Sequence, residues 1–241
     1  MSTPQNSHRR SFLGRVFGAA AVASGLSIAG ARDAEAQAPA ASAAAPWLKE
    51  VKGTHRCLFD FPQHKNGFPQ LHILNYINTY KEAFKAAPGT VGAVGTFYGM
   101  GPQSSIPLAF NDAAWQKYGL SEYTGLKDAS GKAYTRNPLY RPTKDDLHLL
   151  MQFLQTPTIP ALADAMPALG IESLQKMGTK FIICNNAYQG WCFELEARGK
   201  GKMADIDKDL RANLLPGVTF VPAMVIAIEQ AQAAGIRYNR Q

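Results

Sequence analysis

The stretch Thr179–Gly190, TKFIICNNAYQG, joins a short apolar segment directly to residues that favour the first turn of a helix. Its apolar run, up to Asn186, has no polar–apolar alternation, which is typical of a strand buried on both faces. Asn185 and Asn186 are good helix-capping residues. The stretch therefore predicts a strand followed at once by a helix, with Cys184 at the C-terminal end of the strand.

The same pattern recurs on both sides of this stretch. Further strands are predicted at residues 54–61, 90–98, 217–221 and 236–240, the last of them a short edge strand. Apolar residues at helical spacing, with glycine or proline at the ends, predict helices at residues 69–87, 106–118, 161–177, 204–214 and 222–234. Because buried strands alternate with helices, we expect an α/β fold: a three-layer α/β/α sandwich with a mostly parallel open sheet of about five strands.

The N-terminal 36 residues are typical of an export signal. Four of them resemble the twin-arginine export motif: Arg9, Arg10, Phe12 and Leu13. A weakly apolar stretch of 15 residues follows at 16–30, too short to span a bilayer. Small residues at Ala34 and Ala36 suit signal peptidase, with cleavage after Ala36. We therefore predict a periplasmic protein with a signal peptide at residues 1–36 and a flexible Ala/Pro linker at residues 37–50.

The composition of the whole chain is that of a soluble globular protein. Hydrophobic residues make up 46% of the chain and charged residues 18%. Of the net charge of +7, four Arg and two acidic residues fall in residues 1–36, which leaves 21 basic and 16 acidic residues, a net of +5. No Lys/Arg run exceeds two residues, so a nucleic-acid partner is not expected. No later segment has 18 consecutive apolar residues, so no membrane span is expected either.

Residues 119–145 interrupt the alternation of strands and helices. They are polar and rich in Gly, Pro and Tyr, which predicts a long surface excursion. A connection of this length is uncommon unless it forms something such as a lid or an oligomer contact. We take it as part of an insertion at about residues 100–158.

Cys184 is the sharpest candidate for chemistry. Open parallel sheets place their ligand crevices at the carboxyl ends of the strands. A thiol at a helix N-terminus meets the positive end of the helix dipole, which favours the thiolate, the nucleophile of sulfur chemistry. The alternative is that Cys184 is a small buried hydrophobic residue at a strand end, and its position alone fits both.

Other polar residues are predicted near the same crevice. In the functional interpretation they line a pocket beside Cys184: Asp60, Asn75, Tyr98, Asn185 and Asn186. In the structural interpretation, Asp60 caps a turn and Tyr98 covers the edge of the sheet.

The other thiols and the histidines give weaker signals. Cys192, eight positions after Cys184, is a candidate resolving thiol or disulfide partner in an oxidising periplasm, and the sequence does not decide between these roles. Cys57 is predicted to be structural. The spacing of the histidines matches no zinc or copper pattern, and motifs for covalent haem, dinucleotides and a P-loop are absent, so we expect neither a metal nor an organic cofactor.

Three segments resemble the DsrE-like superfamily of sulfur carriers. They are KFIICNNAYQG at 180–190, LLPGVTFVPA at 214–223 with a final helix ending in GIRY at 235–238, and LHILNYINTYKEAF at 71–84. The resemblance covers residues 54–99 and 161–240 and implies a DsrE-like domain at 51–241. It further implies that Cys184 holds a persulfide and exchanges it with a sulfur-donor or acceptor protein, and that the chain assembles into a trimer or hexamer.

Two other functions fit the same residues. One is a non-catalytic module that binds a small ligand or a metal in the crevice, with the insertion closing over it. The other is a structural subunit of a homo-oligomer. Whether the protein is an enzyme stays open, since a sulfur carrier of this kind is at most sulfurtransferase-like.

Overall fold

A computed structural model describes residues 45–241. The twin-arginine motif, the cleavage site after Ala36 and the first part of the linker lie outside these residues. At the centre is a five-stranded open sheet in the order β4-β3-β2-β1-β5. The strands are β1 (His55–Asp60), β2 (Val91–Phe97), β3 (Thr179–Cys184), β4 (Thr219–Val221) and β5 (Arg237–Arg240). All neighbouring strands are parallel, so the predicted fold class is confirmed.

Nine α-helices occur in the described part of the chain. They are α1 (Phe68–Glu82), α2 (Asp112–Tyr118), α3 (Ser121–Thr124), α4 (Leu147–Leu154), α5 (Met166–Leu169), α6 (Ile171–Lys176), α7 (Asn185–Ala197), α8 (Met203–Ala212) and α9 (Met224–Ala233). Short 3-10 helices lie at Pro46–Glu50, Lys65–Gly67, Ile106–Ala109, Lys144–Asp146 and Pro160–Leu162. Over residues 45–241, no helix has both the length and the apolar character needed to cross a bilayer.

The two faces of the sheet are covered very differently. The face that bears Phe59, Phe97 and Phe181, which we call the broad face, packs against residues of α1 to α8. The opposite face, which bears Leu58 and Ile182 and which we call the narrow face, packs mainly against α9 and the first 3-10 helix. The sheet is therefore the middle layer of an asymmetric three-layer sandwich.

The order of the strands explains this asymmetry. From β1 to β4 each new strand is added on the same side, and right-handed crossovers place all the intervening helices on one face. After β4 the chain returns past the sheet to put β5 beside β1. A right-handed crossover in this reverse direction lies on the opposite face, and α9 is that crossover.

Two predicted helices are interrupted. In the segment 106–118, Phe110 is extended (φ −112°, ψ 152°), and the Asn111 side chain accepts the N–H of Ala114 at 3.2 Å, so α2 starts afresh there. In the segment 161–177, Gly170 has ψ 143° and separates α5 from α6. A Cβ on Gly170 would lie 2.5 Å from Cδ of Pro142, so the break coincides with close packing.

The prediction that residues 119–145 form a surface excursion holds for exposed parts such as residues 129–133 and 143–145, but not for the whole segment. Leu120, Leu126 and Leu139 are buried in the broad-face core, because the scattered apolar side chains of this segment point towards the sheet. The buried side chain of His64 makes a hydrogen bond to this segment. Its Nδ1 accepts from the N–H of Asn66, so its Nε2 carries the proton and donates to the carbonyl oxygen of Thr124 at 2.9 Å. Burial lowers the pKa of His64 to about 4.

The end of the predicted linker belongs to the fold. Pro46–Glu50 form a 3-10 helix with proline in its first turn. Its Trp47 and Leu48 are buried in the narrow-face core. The prediction of a flexible linker at residues 37–50 is therefore wrong for Pro46–Glu50.

Candidate functional site

Cys184 lies where the sequence predicts, as the last residue of β3 and the N-cap of α7. It has an extended backbone (φ −73°, ψ 116°), so its side chain projects onto the narrow face while α7 turns away. The side chain is 5% exposed and packs among apolar residues. The residue is therefore both part of the core and part of the edge where the strands end.

Two backbone N–H groups donate to Sγ of Cys184. One comes from Ala187 in the first turn of α7, and the other from Met224 at the start of α9, each at 3.4 Å. The sequence points to the first, because capping geometry follows from the strand–helix junction. It does not reveal the second, which lies 40 residues away along the chain.

The topology brings these two helix starts together. Strands β3 and β4 are neighbours, with Cys184 paired to Val221, yet α7 after β3 lies on the broad face and α9 after β4 lies on the narrow face. Adjacent strands whose helices depart to opposite faces form the crevice in which open α/β sheets bind ligands. Cys184 thus sits at the switch point, where backbone N–H groups from two helix N-termini meet its buried sulfur.

Tyr98 follows β2 beside Cys184. Phe97 pairs with Ile183, so the next position along each strand places Tyr98 next to Cys184 on the narrow face. Tyr98 is half-buried, and its N–H donates to Oγ of Ser105 at 3.0 Å. Burial raises the pKa of Tyr98 above its usual range, and the carboxylate of Asp60 nearby raises it further. Its hydroxyl therefore stays protonated at neutral pH and can donate a hydrogen bond.

Asp60 ends β1 and is buried on the same face. Its Oδ2 accepts a hydrogen bond from the hydroxyl of Tyr238 at 2.7 Å, which raises the pKa of that tyrosine. No donor among residues 45–241 reaches its buried Oδ1 with hydrogen-bonding geometry. Sequence reasoning missed Tyr238, although its place on the predicted edge strand was the available signal.

The asparagines do not join this cluster as predicted. Asn185 uses Oδ1 to accept from the guanidinium of Arg211 at 2.9 Å, and Asn186 is exposed. The prediction for Asn75 is wrong: α1 lies on the broad face, and Asn75 is exposed there beside a groove with Thr79. Helical spacing identifies which residues share a side of a helix but not which face of the sheet the helix covers.

Cys192 is not placed to pair with Cys184. Eight residues of helix α7 separate them, which is about 12 Å along the axis, whereas a disulfide needs Cα atoms closer than about 7 Å. All three cysteines are free. Cys192 is fully buried in the broad-face core, and burial raises the pKa of the Cys192 and Cys57 thiols to about 11. The suggested roles of resolving thiol and disulfide partner are therefore dropped.

Metal-ligating side chains are dispersed. Within residues 45–241, no three His, Cys, Asp or Glu side chains are grouped closely enough to hold a metal ion. His64, the most deeply buried histidine, uses both ring nitrogens in its hydrogen bonds to Thr124 and Asn66.

Comparison with known proteins finds no match among family models, curated proteins or solved structures. The resemblance to DsrE-like sulfur carriers thus rests on the sequence segments themselves.

Proposed function

We propose that this protein carries sulfane sulfur as a persulfide on Cys184, as its resemblance to DsrE-like sulfur carriers implies. The observation that supports this most is the pair of N–H groups, from Ala187 and Met224, that converge on Sγ. Neutral side-chain packing does not require two donors on one sulfur, whereas an anionic thiolate or persulfide gains from them.

The proposed step is thiolate exchange with a persulfide or polysulfide donor. The thiolate of Cys184 attacks the outer sulfur of R–S–SH and forms a new S–S bond, while the donor's S–S bond breaks. The donor leaves as the thiolate R–S⁻, and the proton stays with the transferred sulfur, so Cys184 ends as Cys–S–SH. No oxidant is needed, because one sulfane sulfur has changed carriers.

The other two thiols do not compete for this role. Cys57 and Cys192 are buried, and their pKa values, raised to about 11, leave very little thiolate near neutral pH. Cys184 itself has only a small exposed area, so a compact inorganic polysulfide should react faster than a bulky aryl disulfide.

The test is the intact mass of the native protein before and after inorganic polysulfide, and again after a reductant. We expect a gain of one sulfur atom that the reductant reverses. The gain should persist in Cys192→Ser, the matched control, and disappear in Cys184→Ser. A native protein that gains no sulfur, or a gain that survives in Cys184→Ser, would refute the proposal.

The proposed setting is the periplasm, reached through a twin-arginine signal at residues 1–36 that is removed after Ala36. Support comes from Arg9 and Arg10 in their sequence context. If both arginines are replaced with lysine, retention of the protein in the cytoplasm would support this setting, and unchanged export would contradict it. We also propose a homo-oligomer, a trimer or hexamer, which light scattering of the exported protein would test; a monomer would exclude it.

A further inference from the structure

An aromatic row runs along one side of α1 and just beyond its end. Every fourth residue carries a ring: Phe68, His72, Tyr76, Tyr80 and Phe84. Neighbouring ring centroids are 4.4 Å apart for the first pair and 5.0 Å apart for Tyr76 and Tyr80. The core of α1 is built by other residues, including Ile73 and Ile77, while the rings of the row stay half-buried or exposed. The row therefore presents a surface beyond what the core requires.

The four rings of this row from Phe68 to Tyr80 form one wall of a groove of about 550 Å³, and Phe84 lies outside it. Phe153, at the end of α4, and the last residues of the chain, Asn239 to Gln241, line the rest of it. A volume of this size is typical of sites for small organic ligands. Half of the residues that line the groove carry rings, and planar aromatic groups stack well on such walls.

The residues that line the groove include basic side chains and no acidic ones. Lys65 lines it, and Arg240 borders it from β5, although the pairing of Arg240 with Asp60 places its side chain towards the narrow face. Neither cation makes an ion pair with any residue in 45–241. Amides from Asn75 and Asn239 add polar partners. The groove is thus complementary to a ligand that carries a negative charge.

Lys65 is held in an unusual backbone conformation. Lys65 and Asn66 have φ values of +41° and +52°, in the left-handed region that non-glycine residues rarely adopt. The turn is fixed by the Asn66 amide, which donates to the carbonyl oxygen of Leu149 at 3.1 Å, and by His64. Strain of this kind persists where the surrounding structure fixes it, and here it places Lys65 at the groove.

We propose that this groove binds a small organic anion with a flat aromatic body, of the aryl carboxylate or aryl sulfonate class. The aromatic body stacks against Tyr76, Tyr80 and Phe153, and the acidic group pairs with Lys65. The site lies on the broad face, whereas Cys184 lies on the narrow face, so it is independent of the proposed sulfur chemistry.

The test uses a matched pair of fluorescent probes, anilinonaphthalene sulfonate and its uncharged parent phenylnaphthylamine. We expect both to bind the native, full-length protein saturably at one site. Phe153→Ala should weaken both by about fivefold or more, through loss of ring stacking. The control is Phe84→Ala, another exposed ring, 70% exposed and outside the groove, which should leave both affinities unchanged.

A second pair of variants isolates the charge. Lys65→Gln should weaken the sulfonate by about three- to tenfold, as expected for a partly exposed ion pair, and leave the uncharged probe unchanged. Lys81→Gln, on α1 but outside the groove, should change neither affinity. Non-saturable binding, or equal affinities in Phe153→Ala and Phe84→Ala, would overturn the proposal, as would an equal loss of both probes in Lys65→Gln. Repeating the titration in Cys184→Ser separates this result from the fate of the sulfur proposal.

Discussion

The broad face of the sheet is a large packed core, whereas the narrow face carries the candidate reactive thiol. On the broad face the rings of Phe97 and Phe181 stack at 5.2 Å, and the helices cover them completely. On the narrow face one long crossover, α9, and a 3-10 helix cover the sheet, and Cys184 lies at its edge. The comparison indicates that the broad face supplies most of the packing, whereas the narrow face holds a thiol at a strand end.

Cysteines on the two faces illustrate the difference at the level of single atoms. The thiol of Cys192 on the broad face is fully buried, and burial raises its pKa to about 11. The thiol of Cys184 on the narrow face receives two backbone N–H groups. The difference between the two thiols is thus that Cys184, and not Cys192, meets two converging backbone N–H groups at a strand end.

The largest effect should come from the histidine that ties residues 119–145 to the broad-face layer. His64 has a pKa of about 4, against 6.5 for an ordinary histidine, so between these values the unfolded chain binds a proton that the folded chain does not. The contribution of His64 to the free energy of unfolding should therefore be complete above pH 6.5. It should be lost as the pH drops towards 4, which lowers the free energy of unfolding by roughly 3 kcal/mol.

Urea unfolding at a series of pH values checks this. His64→Gln should remove much of the decrease in the free energy of unfolding between pH 6.5 and 4. The glutamine side-chain amide can still donate to Thr124, but it does not titrate. The exposed His55→Gln serves as the control and should keep the decrease. An unchanged decrease in His64→Gln would show that this residue does not link the segment to pH.

A packing substitution should have the next largest effect. A Cβ on Gly95 would lie 2.4 Å from the Phe181 ring on the broad face, and that ring is fully buried. Gly95→Ala should therefore destabilise the protein by about 2 kcal/mol. In Gly190→Ala the new Cβ would meet only the flexible side chain of Met100, at 2.9 Å, so little loss is expected. Thermal denaturation compares the two, and equal losses would mean that the broad face is less tightly packed than its contacts indicate.

The sequence predicts those features of the fold and the site that neighbouring residues determine, and not those that contacts between distant segments determine. The strands were predictable because apolar runs such as Thr179–Cys184 identify a buried strand locally. The position of Cys184 followed from the strand–helix junction in the same way. The short helices were harder, because the interruption at Gly170 coincides with packing against Pro142 from a distant segment.

Sequence patterns do not predict the position of a residue where that position depends on the topology of the sheet. The second N–H on Cys184 comes from Met224, and only the reversal of the chain between β4 and β5 brings α9 to that side. The place of Asn75 is not predictable in this way, because helical spacing does not say which face of the sheet α1 covers. The burial of Leu120 and Leu126 within the excursion is not predictable from the sequence, because these residues follow no period of two or 3.6 residues.

The smallest effect, and the sharpest contrast between the faces, should come from replacing each buried cysteine with serine. Cys192→Ser puts a hydroxyl into the broad-face core, which should cost about 1 to 2 kcal/mol of unfolding free energy. Cys184→Ser puts a hydroxyl where Ala187 and Met224 already donate, and serine is a favoured N-cap, so a change within about 0.5 kcal/mol is expected. Urea denaturation of the two variants measures both values. If Cys184→Ser were the more damaging change, the sulfur would be needed for packing, and the case for the narrow face as a site of thiol chemistry would lose its main structural support.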